Sequence, residues 1–247
     1  IIAQLFPNNK TAMLNRFHVW FPGGIVIGSL VSAGMTQLGL GWEAQVATML
    51  VPTAIYGVMM FGFEFPALET EDDSTSGNLK ALLNPIYIFL FVCMTMTAVS
   101  EFGPGQWINK ILEASGATPM LILALITGIM ALGRFYAGPL VHKLSPPGVL
   151  LVSAILSTLG LFLMTQLQGS AVYFAAVIFA LGITYFWPTM IGCTTEYTPK
   201  TGALGMSLMG GAGMFAMGWW NPIIGGWIDS ATAKAEAAGL TGNELAL

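Results

Sequence analysis

Long apolar runs alternate with short polar punctuation along this chain, and the runs are of membrane-crossing length. A helix needs about 20 mostly apolar residues to cross about 30 Å of hydrocarbon. Seven segments meet that pattern: Val19 to Gly39, Ala44 to Phe63, Pro85 to Ser100, Pro119 to Leu140, Gly148 to Gln168, Ala171 to Gly192, and Ala203 to Ile228. The third is short if it stops at Ser100, so it is expected to continue past Glu101. None alternates with a period of two, which disfavours a β-barrel. The pattern predicts an all-α integral membrane protein of about seven transmembrane helices.

The polar punctuation sets orientation and organisation. Lys10, Arg16, Lys80, Arg134, Lys143 and Lys200 fall on one side of the spans, and only Lys110 and Lys234 on the other. Short loops rich in Lys and Arg stay in the cytoplasm, so the first side is expected to be cytoplasmic. The longest connection, residues 64–84, is polar and acidic (Glu69-Thr70-Glu71-Asp72-Asp73) and reads as a linker between two bundles. Residues 1–63 then close an amino-terminal bundle and residues 85–247 form a carboxy-terminal one. Ile1 to Phe6 reads as the tail of an earlier span and Thr241 to Leu247 as a loop leading onward, as in an internal piece of a longer chain. Shifting the sequence by 190 places Lys10-Thr11 on Lys200-Thr201, Leu14 on Leu204, Gly23 on Gly213 and Gly28 on Gly218. Two related six-helix repeats would bring the first and seventh spans into this correspondence.

Composition narrows the classes. Of 247 residues, 55% are hydrophobic and 8% charged, with a net charge of −4. A typical soluble domain carries about 25% charged residues. A disordered chain, a collagen and a nucleic-acid binder are excluded, and a water-soluble enzyme nearly so. Cys93 and Cys193 lie far apart and form no disulfide framework; neither they nor His18 and His142 have metal-ligand spacing. No metal and no cofactor is expected. Ser207 lacks a nucleophile-elbow setting and a placed histidine, so an intramembrane enzyme is not expected. A seven-helix receptor is the alternative of another class. An interior amino terminus and the absence of a lysine within a span oppose it.

Candidate chemistry lies at the few polar positions inside the runs. Glu101 lies about 24 Å along a helix from Pro85 at 1.5 Å per residue, in the outer part of the slab. An ionised carboxylate there needs a wet cavity or a partner. It serves a substrate hydroxyl or a proton, or it caps the next helix, whose breakers Gly103-Pro104-Gly105 follow. Gln106 offers an amide to hydroxyls, and Trp107 offers a sugar-packing face or an interfacial belt residue. Tyr185 and Trp187 flank a kink at Pro188, which frees the carbonyl of Thr184 and lets the segment line a cavity or pack in a core. Asn221 needs a partner at membrane depth, either a substrate hydroxyl or another helix. Gly133-Arg134-Phe135-Tyr136-Ala137-Gly138 closes the fourth span on the cytoplasmic side, as a gating latch or a positive-inside anchor.

Several of these runs resemble a known family. Gly133-Arg134 with Gly138 before the basic turn His142-Lys143 resembles the loop between helices eight and nine of the major facilitator superfamily. Phe186-Trp187-Pro188-Thr189-Met190, Glu196 to Gly205, and Asn221-Pro222-Ile223-Ile224-Gly225-Gly226 are similar to helices ten and eleven of its bacterial sugar-permease branch. Met13 to His18 resembles the entry to helix five, and Glu101 to Trp107 the outer part of helix seven. The branch resembled is the fucose–galactose–glucose:proton symporter family, with this chain covering helices five to eleven of twelve.

That resemblance implies a secondary transporter in a cytoplasmic (inner) membrane, monomeric, carrying a hexose with protons by alternating access. A non-sugar metabolite or drug is the alternative cargo. It implies substrate contacts from Glu101, Gln106, Trp107, Tyr185, Trp187 and Asn221, and gating by Gly133, Arg134 and Gly138. The partners implied are a small solute, protons and the lipid bilayer.

Overall fold

A computed structural model describes residues 2–64, 75–112 and 118–239 of the chain. All of its regular structure among these residues is helical. The helices are α1 (Ile2–Leu5), α2 (Lys10–Phe17), α3 (Trp20–Gln37), α4 (Trp42–Ala47), α5 (Leu50–Gly62), α6 (Thr75–Ala81), α7 (Pro85–Leu112), α8 (Pro119–Phe135), α9 (Ala137–Gln166), α10 (Ala171–Ile183), α11 (Phe186–Tyr197) and α12 (Gly202–Ala237). The acidic run 69–73 lies outside the described residues. Within the expected linker, Thr75 to Ala81 form the short helix α6.

Among the described residues, five stretches are long and apolar enough to cross a membrane: Lys10–Gln37, Trp42–Gly62, Pro85–Ile108, Ala137–Gln166 and Ala171–Tyr197. A shorter apolar helix covers Leu121–Phe135. The seventh expected span lies within α12, whose 36 residues are ample in length. Its glycines, tryptophans and Asn221 dilute its hydropathy below that of the others. The third span does run past Glu101, to Leu112.

Three of the spans are broken by a two-residue turn. α2 meets α3 at a turn at His18-Val19, α4 meets α5 at Thr48-Met49, and α10 meets α11 at Thr184-Tyr185. α8 gives way at Tyr136 and the helix resumes at Ala137. The chain then turns at Ser145, whose φ of 60° and ψ of 160° are non-helical. Pro146 follows directly and disfavours a helical Ser145.

Close packing centres on α7 to α12. Ile122, Ile126 and Met130 of α8 interlock with Val172, Ala176, Phe179 and Ile183 of α10 in one buried cluster. Tyr87, Leu90 and Met94 of α7 meet Met190, Cys193 and Met209 in a second. α9 and α10 form the most extensive helix pair. Their approach is reciprocal: a Cβ on Gly160 would fall on the backbone of Phe179, and one on Gly182 on the backbone of Ser157. Small residues at such points let helix backbones touch. By contrast α3, α4 and α5 turn Trp20, Leu30, Trp42 and Phe61 outward.

Candidate functional site

Proline chemistry prepares the centre of the molecule. Pro188 has no N–H, so the Thr184 carbonyl four residues earlier lacks its helical donor. Pro22 stands in the same relation to the His18 carbonyl. Gly133 then lets α8 come close: a Cβ there would sit 2.8 Å from Thr184 Cγ2 and 3.2 Å from the Tyr185 hydroxyl. The next residue, Arg134, reaches into the gap.

Arg134 is 1% exposed. Its Nε donates to the Thr184 carbonyl at 2.7 Å, Nη1 to the His18 carbonyl at 3.3 Å, and Nη2 to Glu101 Oε1 at 2.6 Å. The other carboxylate oxygen, Glu101 Oε2, accepts the backbone N–H of Trp187 at 3.2 Å. Both side chains of the ion pair are 1% exposed. Burying two charges is tolerable only where geometry is good and the remaining donors and acceptors are met. Here the break in α10–α11 supplies a bare carbonyl to the cation and a bare N–H to the anion.

Arg134 lies in the last turn of α8, at the end of its apolar helix as expected, and is bonded there to Thr184 at the α10–α11 turn. α9 then begins at Ala137 and stays helical through His142-Lys143 to the kink at Ser145. Glu101, expected to need a wet cavity or a partner, is 5% exposed and paired with Arg134. Gly138 faces open space, with nothing within 4 Å of an added Cβ.

The other expected residues divide into separate places. Trp187 is half-buried, meets Phe102 edge-on at 5.6 Å, and rests over Gly213, where a Cβ would come within 2.6 Å of its ring. Tyr185 lines a small apolar cavity of about 180 Å³ with Leu140, Val149 and Leu181. Trp107 Nε1 donates to Asn221 Oδ1 at 2.7 Å, away from the ion pair. Gln106 is exposed. Glu101, Arg134 and the Trp187 backbone therefore form one constellation, and Trp107 with Asn221 another.

A family model described as the Major Facilitator Superfamily matches residues 1–220. The chain belongs to the major facilitator superfamily. A search of curated proteins and a search of solved structures each return no match. As a member of the superfamily, the chain is a multi-pass membrane protein of a secondary-transporter family with a small-molecule substrate, and its all-helical architecture is that of a partial superfamily bundle.

One feature of this superfamily member was not singled out from sequence. α2 and α11 are joined by a polar seam. Lys10 Nζ donates to the Thr195 carbonyl at 3.5 Å, Thr11 Oγ1 donates to Glu196 Oε1, and Asn15 Nδ2 donates to Thr189 Oγ1 at 3.1 Å. Gly192 gives Thr11 its room, since a Cβ would overlap the threonine side chain. Asn15 Oδ1 is buried without a partner. Beside the seam, Lys10, His142, Pro146 and Glu196 line a polar cavity of about 380 Å³. The usable signal was the run of hydroxyl and amide residues at helical spacing, Thr11 with Asn15 and Thr189 with Glu196, on otherwise apolar spans.

Proposed function

We propose that the protein is a secondary active transporter that moves a small polar solute, a hexose, by proton-coupled alternating access across a cytoplasmic membrane, acting as a monomer. Two bundles, residues 1–63 and 85–247, rock about a central site in this reading. The carrying observation is the Glu101–Arg134 ion pair buried between the apolar helices α7 and α8. Ionisable groups at such depth are costly and mark substrate or proton pathways. A proton arriving on Glu101 cancels its charge, loosens its hold on Arg134, and frees the Trp187 N–H and the guanidinium to meet a solute's oxygens. Gln106, Trp107, Tyr185, Trp187 and Asn221 would contribute amide, hydroxyl and aromatic contacts as the bundles move. Gly133, Arg134 and Gly138 would contribute to gating.

The seam between α2 and α11 fits a side that is closed here and parts in the other state. Its bonds are few and polar, and one buried acceptor is left unmet, which weakens it relative to an apolar interface. A second cargo is favoured by one observation: a guanidinium at the centre of the site also suits a monocarboxylate.

The test is uptake of labelled hexoses and monocarboxylates by cells expressing the protein, with and without an uncoupler. Uptake of one hexose that collapses with the proton gradient, and is lost in Glu101→Gln, supports the proposal. Uptake only of a carboxylate overturns the hexose, and uptake insensitive to the uncoupler overturns proton coupling.

A further inference from the structure

Two breaks in the fold share one local sequence pattern. The turn His18-Val19 is followed by Trp20-Phe21-Pro22, and the turn Thr184-Tyr185 by Phe186-Trp187-Pro188. In each, two turn residues precede two aromatics, and the proline is the third residue of the new helix. Each proline deprives the carbonyl four residues back of a helical donor. Both carbonyls turn to the same side chain: Thr184 accepts from Arg134 Nε and His18 from Arg134 Nη1. The middle aromatics also converge. Phe21 and Trp187 meet Phe102 edge-on, at 5.9 Å and 5.6 Å, and Phe102 is the neighbour of Glu101.

We propose that Pro22 and Pro188 are a matched pair of positioning residues that act through Arg134, leaving two carbonyls bare at one point so that the guanidinium is held where Glu101 meets it. A guanidinium carries five N–H donors in a rigid fork. Three of its nitrogens are engaged here, by acceptors from the α2–α3 turn, from the α10–α11 turn and from α7. A lysine offers one compact ammonium and cannot serve three separated acceptors in this plane. If α2 and α10–α11 belong to different moving bodies, the Arg134 side chain is the point at which their broken backbones are tied together. The two sites are not equal: the His18 carbonyl also takes a long bond of 3.4 Å from the Phe21 N–H, so it depends less on Arg134 than Thr184 does.

The opposing view is that the prolines only bend their helices. Thermal unfolding of the purified chain in detergent separates the two. Pro188→Ala adds an N–H that competes with Arg134 for the Thr184 carbonyl, so in the native background the midpoint falls by about 2–4 °C. In a charge-free background, Glu101→Gln with Arg134→Met, the same substitution supplies the missing donor and the midpoint rises. Pro22→Ala shows the same reversal at smaller size. Equal shifts of one sign in both backgrounds overturn the proposal.

A second readout stands if the charge-free background does not fold. The chain has two arginines, Arg16 and Arg134. In protein labelled with ¹⁵N-arginine, Pro188→Ala moves the Arg134 Nε–H resonance toward that of free, solvated arginine. An unmoved resonance overturns the role of Pro188. Neither measurement needs a transported solute, so the outcome is independent of the transport reading.

Discussion

Trp107 donates its indole N–H to Asn221 at 2.7 Å, tying α7 to α12 next to a proline in each helix. Gly225, one turn further along α12, makes the slot for the ring: a Cβ there would come within 2.8 Å of it. Each polar group completes the other, so neither needs a solute to satisfy it in this state. Asn221→Ala leaves the half-buried N–H unmet and is expected to cost about 1–3 kcal/mol. Trp107→Phe combined with Asn221→Leu is expected to cost less than the sum of the single changes. A double-mutant cycle on the unfolding midpoint checks this; strict additivity would show that the bond contributes nothing.

Arg134→Ala strands the Glu101 carboxylate in a dry interior. Breaking a buried pair from one side typically costs about 3–5 kcal/mol, whereas replacing both partners with neutral groups is far milder. Arg134→Ala is therefore expected to abolish the monodisperse peak in fluorescence-detected size exclusion. Glu101→Gln with Arg134→Met is expected to restore most of it. A well-behaved Arg134→Ala protein would mean that water reaches Glu101.

The seam of α2 with α11 predicts a measurable opening. Thr11→Val removes the donor to Glu196 with little change in shape. With Cys93 and Cys193 replaced by alanine, a reporter Ala12→Cys on the same helix is buried, as Ala12 is 6% exposed. Adding Thr11→Val is expected to raise its labelling by an impermeant maleimide several-fold from the cytoplasmic side. An unchanged rate would remove the seam from the gating proposal.

The apolar runs were enough to locate the helices, because hydrocarbon demands them, and the bare Thr184 carbonyl was readable from Pro188 alone. Glu101 announced that it needed a partner. The identity of that partner was not readable. Arg134 lies 33 residues away, and beside Gly133 it looks like the end of a span, where arginines are common. A buried ion pair runs against the hydrophobic pattern on which spans are read, and functional positions are where such contradictions gather. The bonds of the seam were hidden for another reason. Thr11 and Glu196 are 185 residues apart, and no local rule joins them. The paired motifs Trp20-Phe21-Pro22 and Phe186-Trp187-Pro188 were visible but fall outside the 190-residue shift that aligns Lys10-Thr11 with Lys200-Thr201.

The ion pair also bears on how the chain enters its bilayer. Glu101 lies on α7 and Arg134 on α8, consecutive helices. An isolated arginine costs about 2.5–3.5 kcal/mol on the insertion scale at the centre of a membrane helix and less toward an end, and Arg134 stands in the last turn of α8. α8, with 17 residues and this charge, is poorly suited to leave the insertion machinery alone. Side by side with α7 its charge is cancelled. Biogenesis is thereby biased toward delivery of the two helices as a hairpin, with the carboxylate already waiting when the arginine arrives.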